Sequence, residues 1–158
     1  MEHKLQQGLI EVYTGNGKGK STASFGLAIR AAGQGLKIRI IQFMKTINNY
    51  GENIALDRFP EINVSAFGRD CLLRKGQISE EDKTLAGEAL AESFLAMGED
   101  YDLLILDEIN NALFFELIEL KDVLRPEELI EKADLVTEMK EIKHPYSKNI
   151  AARRGIEF

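Results

Sequence analysis

The sequence predicts an α/β fold built on a mostly parallel sheet, and three observations predict it. Short β-rich segments alternate with helical ones along the chain, the pattern of strands joined by crossover helices. A glycine-rich loop, residues 15–19, separates the first strand from the first helix. A near-continuous apolar stretch, residues 101–107, ends in the carboxylates Asp107 and Glu108; apolar runs of this kind are strands buried on both faces, and ligands gather at their carboxyl ends.

The elements follow in order. Residues 1–8 are polar and lack an apolar core, so they read as a flexible arm rather than a secretory signal. Residues 9–14 are β-rich and form the first strand. Residues 20–32 carry Ala23, Leu27, Ala28 and Ala31 at helical spacing, and Gly33 and Gly35 end that helix. A second strand is expected over 37–44, a short helix over 50–59 and a third, alternating strand over 62–67. Ser79 followed by Glu80, Glu81 and Asp82 is a helix start with acids in the first turn. Leu85, Ala86, Ala89, Leu90, Phe94 and Met97 then predict its buried stripe. The apolar stretch 101–107 is the fourth strand, expected to be buried on both faces. Helices over 110–120 and 126–133 and a last strand over 134–139 complete the pattern. Tyr50, Phe59 and Phe67 are core candidates first and ligand platforms second, and Met139 is a core candidate.

The 158 residues are 44% hydrophobic and 29% charged, which suits one globular domain over 1–158 and excludes disorder, collagen or coiled coil as the main class. A net charge of −6 argues against general nucleic-acid binding, which phosphate neutralisation drives. Cys71 is the single cysteine, so no intrachain disulfide and no cysteine-based zinc site can form. No apolar run approaches the ~18 residues of a membrane span. The expectation is a cytoplasmic protein with neither nucleic acid nor membrane as partner. His144 reads as a loop residue. Lys140, Lys143, Lys148, Arg153 and Arg154 make the tail locally basic, but Glu138, Glu141 and Glu157 dilute it, so a solvated surface is expected there.

The chemistry is concentrated in Thr14-Gly15-Asn16-Gly17-Lys18-Gly19-Lys20-Ser21-Thr22. Gly19-Lys20-Ser21 matches the end of the P-loop pattern between strand and helix, while the leading glycine position holds Thr14. Glycines let backbone N–H groups turn towards phosphate oxygens, and the following helix presents its positive end to the anion. Lys20 adds a cation. Ser21 offers a hydroxyl to Mg²⁺, with Thr22 as a second candidate. Asp107 and Glu108 then read as a metal-holding pair at the same sheet edge; alternatively, Asp107 caps the helix that follows. These features specify a P-loop NTPase-like, three-layer α/β/α fold that binds Mg-nucleotide. A kinase, an ATPase switch and a nucleotide-binding regulator remain open on the residues alone.

The combination of motifs resembles the P-loop ATP:corrinoid adenosyltransferases of BtuR/CobO type. The resemblance is carried by the stretches 15–22, Ile40-Ile41-Gln42-Phe43-Met44-Lys45, Gly51-Glu52, Leu104-Ile105-Leu106-Asp107-Glu108-Ile109-Asn110, and a tail of 133–139, Lys143-His144-Pro145 and Gly155-Ile156-Glu157-Phe158. It implies transfer of the 5′-deoxyadenosyl group of ATP to Co(I) of a reduced corrinoid, with triphosphate leaving and a flavoprotein as possible electron donor. It implies that Gly15, Asn16, Gly17, Lys18, Gly19, Lys20, Ser21 and Thr22 grip the triphosphate, with Lys20 the catalytic cation and Arg30 a nucleotide contact. Ser21 with Glu108, and Asp107 beside it, would serve Mg²⁺. Phe67, Gly68 and Arg69 would lie near the corrinoid, and the N-terminal arm would cover that site in the partner of a homodimer. Two stretches depart from the family pattern. No Phe–Trp pair follows Gly68, and the further strand ending in Thr-Gly-Arg is missing where Leu124-Arg125-Pro126 passes straight through.

Overall fold

The computed structural model describes residues 5, 7–47, 50–70, 77–119, 123, 126–144, 153, 155 and 156. Cys71, Leu124, Arg125, Lys148 and Arg154 lie outside the described residues, as does much of the arm 1–8. The elements run β1 (Glu11–Thr14), α1 (Lys20–Ala32), β2 (Ile38–Phe43), α2 (Gly51–Leu56), β3 (Ile62–Phe67), α3 (Glu80–Met97), β4 (Leu103–Asp107), α4 (Ile109–Phe114), α5 (Pro126–Lys132) and β5 (Leu135–Glu138). Every ladder among them is parallel. Strands hydrogen-bond in the order β3-β2-β4, and β1 bonds β5. Helix α1 packs against β1, β2 and β4, bridging the two sets.

β2 is the middle of the structure, with all six of its residues buried. Successive side chains of a strand point to opposite faces. Ile38 and Ile40 therefore enter a cluster with Phe25, Ala28 and Ala31 of α1 and Leu56 of α2. Ile41 and Phe43 enter a second cluster with Ala86 and Ala89 of α3 and Ala112 of α4. This is the three-layer α/β/α arrangement. The four large β2 side chains are fully buried, each contributing about 2 kcal/mol. Burial on both faces was expected of residues 101–107, yet in β4 only Ile105 and Asp107 are buried. The reason is topological: β2 has a bonded strand on each side, whereas β4 has one only on its β2 side among the described residues.

Helix α3 also departs from its expected stripe. Phe94 and Met97 are 55% and 63% exposed, and the buried line is Asp82, Ala86, Ala89, Ser93 and Ala96. These small residues bring the helix close enough to serve Arg39, a 4% exposed cation in the middle of β2. Its guanidinium donates to Asn63 Oδ1 at 2.8 Å, Ser65 Oγ at 2.8 Å and Glu92 Oε1 of α3 at 2.7 Å. A buried charge needs such partners.

Helix α4 ends at Phe114, short of the expected 120, because Glu116 adopts a left-handed φ of 57° and turns the chain back. Leu117 N then donates to Ala112 O at 2.9 Å. Glu108, not Asp107, stands at the N-cap of α4, without a side-chain capping bond.

The start of α3 is tightly specified. Ser79 and Asp82 form a reciprocal capping box, and Arg69 donates to Asp82 through Nε at 2.7 Å and Nη2 at 2.6 Å. The Arg69 bonds, helped by Ser79 against the cost of burial, hold the Asp82 carboxyl down at about 2. A carboxyl depressed on folding contributes stability that is complete above its unfolded value near 3.8 and is lost as pH falls towards 2. Asp82→Asn should cost about 2 kcal/mol at neutral pH, and the gap from the natural chain should shrink below about pH 3. Urea unfolding at both pH values measures this; an unchanged gap would show that the carboxylate is not the stabilising group.

Candidate functional site

Parallel pairing turns the carboxyl ends of the strands to one edge, where ligands bind in α/β sheets. The glycine loop follows β1, Lys45 follows β2, Gly68 follows β3, Asp107 ends β4 and Met139 follows β5.

In the loop, Gly15 and Gly19 take φ of 101° and 117°, angles that L side chains rarely adopt. Gly19 is also the N-cap of α1 and offers no side chain there, which leaves the first amides of the helix to a ligand. Lys20 folds across the loop, its ammonium donating to Gly15 O at 2.8 Å and Gly17 O at 2.9 Å. The tail closes on the other side. Gly17 N donates to Met139 O at 2.6 Å, and Glu141 N donates to Asn16 Oδ1 at 3.0 Å. A Cβ at Gly15 or Gly17 would lie 2.4 or 2.6 Å from Met139 O, so neither position has room for a side chain. Lys18 donates to Ile156 O at 2.8 Å. Gly17, Lys18, Lys140, Glu141, Ile142, Lys143 and His144 line one surface pocket. Lys140 and Lys143 are exposed, as expected of a solvated tail, but they stand against the phosphate loop rather than away from it.

The second half of the site centres on Asp107, which is 7% exposed. Ser21 Oγ donates to its Oδ1 at 2.7 Å. Lys45 Nζ donates to Oδ2 at 2.7 Å, and Gln42 Nε2 does so at 3.3 Å. Gln42 is the register partner of Asp107 across the β2–β4 ladder. Asn53 Nδ2 donates to Gln42 Oε1 at 2.7 Å, while the buried Asn53 Oδ1 has no hydrogen-bond partner among the described residues. Burial alone would lower the Lys45 ammonium, but the bonded Asp107 carboxylate, with Glu108 and Glu52 nearby, outweighs it and holds the group above the usual lysine value. Lys45 Nζ also lies 5.1 Å from the centre of the Tyr50 ring.

The remaining predicted residues are placed as follows. Glu108 has a left-handed φ of 66° and accepts from the Asn111 side-chain amide, whereas Ser21 bonds Asp107. Thr22 is exposed. Arg30 is exposed in the last turn of α1, roughly 15 Å along the axis from Lys20, and its charge acts on Tyr13 of β1. Phe67 packs against the second core cluster. Gly68 lies against the chain after β2, where a Cβ would be 2.4 Å from Lys45 N. Arg69 is held by Asp82 and Glu81.

Ser21 and Asp107 offer a hydroxyl and a carboxylate, hard oxygen donors 2.7 Å apart. That set fits Mg²⁺, which keeps several waters and takes few protein ligands beside substrate phosphates. Among the described residues no three His, Cys, Asp or Glu side chains cluster into a metal cage. Lys45, Gln42 and Met139 are the members of the site that the sequence reading did not assign. A cation just beyond a strand on the ligand edge was the available signal for Lys45, and a glutamine inside an apolar strand was the signal for Gln42.

Comparison with known proteins follows the same lines. Residues 6–126 and 124–158 match the family described as ATP:corrinoid adenosyltransferase BtuR/CobO/CobP. A corrinoid adenosyltransferase of Pseudomonas aeruginosa is 36% identical over 97% of this chain and 85% of its own length. One from a Sinorhizobium species is 35% identical over 97% and 81%, and one from Escherichia coli K12 is 30% identical over 97% and 87%. The Pseudomonas alignment runs over 178 residues, more than the 158 of this chain, so the relative carries residues that this chain lacks. The two family matches meet at 124–126, the point where the expected strand is missing. No helix among the described residues is long and apolar enough to cross a membrane. With the match running through the phosphate loop, the Asp107 strand and the tail, the chain belongs to the ATP:corrinoid adenosyltransferase family.

Proposed function

We propose that this chain transfers the 5′-deoxyadenosyl group of ATP to the cobalt of a reduced corrinoid, either cob(I)alamin or cob(I)yrinic acid a,c-diamide. The observation that carries the reading is the family match through both the phosphate loop and the tail that bonds it. Phosphate binding by itself gives a loop no reason to be closed by Met139 O.

The reaction needs little covalent work from the protein. The electron pair of Co(I) attacks the 5′ carbon, the carbon–oxygen bond breaks, and inorganic triphosphate leaves with that bonding pair. The substrate itself is the nucleophile, so no Ser–His or Cys–His pair is required. What remains is to hold carbon and cobalt in line and to stabilise the charge on the triphosphate. The free amides at the start of α1 and the Lys20 ammonium suit the second task once Lys20 leaves Gly15 O and Gly17 O. Gly17 N is already given to Met139, so it shapes the loop instead of binding phosphate. Asn16, bonded to Glu141 N, fixes the tail against the loop. Mg²⁺ held by Ser21 and Asp107, with Glu108 nearby, would neutralise phosphate charge. Phe67, Gly68 and Arg69, at the neighbouring strand end, are the proposed corrinoid side. Co(I) demands an external reductant, for which a flavoprotein is suited. We further infer a cytoplasmic homodimer in which the partner's arm covers the corrinoid.

Anaerobic incubation of the chain with Mg-ATP and chemically reduced cobalamin or cobyrinic acid a,c-diamide should yield a light-sensitive cobalt–carbon product and triphosphate in equal amounts. ADP as the product would overturn the reading in favour of a kinase or ATPase. Lys20→Ala should lower turnover by about 10²–10³-fold while leaving the thermal unfolding midpoint nearly unchanged. Gly17→Ala should weaken ATP binding and lower the unfolding midpoint together, because its methyl group meets the Met139 carbonyl. Equilibrium dialysis with ATP and a thermal melt distinguish the two variants.

A further inference from the structure

Lys45 is a largely buried cation of the site that the reaction scheme leaves unused. It stands just past the end of β2, its side chain 12% exposed, paired with an Asp107 side chain that is 7% exposed. Both Asp107 oxygens already carry donors: Ser21 on Oδ1, and Lys45 with Gln42 on Oδ2. These donors differ in what they would do to an arriving cation. The Ser21 hydroxyl keeps lone pairs to offer a metal. The Gln42 amide is neutral and lies at 3.3 Å. Lys45 brings a full positive charge 2.7 Å from Oδ2, on the same carboxylate whose Oδ1 faces Ser21, and like charges repel strongly where water is excluded.

Lys45 also has somewhere else to go. Its ammonium already lies near the Tyr50 ring, a cation–π seat that does not depend on Asp107. Its stem is flexible, and nucleotide phosphates in the adjacent loop would supply new acceptors. Lys20 is in the same condition, bonded to loop carbonyls that phosphate would replace.

From this geometry we propose that Lys45 is a resident counter-ion, which closes the Asp107 carboxylate to a free divalent cation until nucleotide phosphates draw the ammonium away. The inference rests on the reading of Asp107 as a metal ligand. It makes metal and nucleotide strongly coupled, each binding better in the presence of the other, and that coupling is reciprocal. It makes Lys45 a positioning residue, acting through Asp107.

The test uses Mn²⁺ as probe, with free Mn²⁺ followed by electron paramagnetic resonance on the full chain without nucleotide. Lys45→Gln keeps a hydrogen-bond donor towards Asp107 but removes the charge. It should bind Mn²⁺ at least about ten-fold more tightly than the natural chain. Lys45→Arg keeps the charge and should behave as the natural chain does. Adding Asp107→Asn to Lys45→Gln should abolish the gain. Thermal melts check that each variant is folded, and the natural chain supplies a test that needs no variant: tight Mn²⁺ binding without nucleotide would overturn the proposal. So would equal affinity in Lys45→Gln and the natural chain, weaker binding in Lys45→Gln, or a gain that survives Asp107→Asn. Failure of the underlying metal reading looks different. In that case Asp107→Asn alone would leave the Mn²⁺ dependence of ATP binding untouched.

Discussion

A carboxylate at the end of a buried strand must be given partners, and in this molecule the partners of Asp107 tie the site together. Ser21 comes from the helix after the phosphate loop, Gln42 from the central strand and Lys45 from the turn beyond it. The hydrophobic layers place these groups near one another, because β2 and β4 are in parallel register with Gln42 opposite Asp107. Leaving a buried charge unpaired costs several kcal/mol. That cost gives the β4 end, the β2 end and α1 one preferred arrangement, and it puts the phosphate loop beside the proposed metal ligands. The core supplies the layers, and the polar cluster supplies their alignment at the ligand edge.

The tail plays the corresponding part on the other side of the loop. β5 pairs with β1 from Glu11–Leu135 to Thr14–Glu138, so the chain after β5 is delivered to Gly15 and Gly17. Met139 approaches so closely that the tail itself demands glycine at both positions. One amide of the loop is spent on this contact. A loop braced by hydrogen bonds to a neighbouring segment has fewer conformations to lose when an anion binds, and preorganisation of that kind favours binding.

Much of this was legible in the sequence because the signals were local. Residues 20–32 have helical spacing bounded by glycines, and α1 has those bounds. Ser79 and Asp82 are three residues apart, and the capping box forms. The loop motif needs only its own residues and the strand before it. What stayed hidden depends on partners far away in the chain. Residues 101–107 look more apolar than Ile38–Phe43, which contains Arg39 and Gln42, yet burial follows the number of bonded neighbours and β2 has two. The polar residues of β2 are paid for by Asn63, Ser65, Glu92, Asn53 and Asp107, none of which the strand itself announces. Phe94 and Met97 fit a helical stripe in sequence but face solvent, because the sheet lies against the alanines. Lys45 and Met139 act through atoms 62 residues away at Asp107 and more than a hundred away at Gly17, a separation at which spacing carries no information.

The shorter chain poses a topological problem that the structure resolves. The family match passes from its first piece to its second at 124–126, and α5 begins at Pro126. From there the chain must still bring Met139 to the phosphate loop. It does so by pairing β5 directly with β1 through four residues in parallel register. Asp134 helps to set that register, its carboxylate accepting from Ile10 N at 2.8 Å while its own amide donates to Ile10 O at 2.8 Å. Register fixes which face each side chain takes and where the strand ends, so a slip by one residue would carry the Met139 carbonyl away from Gly17. Residues absent before α5 thus leave the tail–loop contact intact, provided that β5 meets β1 at Asp134. The contact that closes the phosphate loop therefore follows from the register that Asp134 sets at the start of β5.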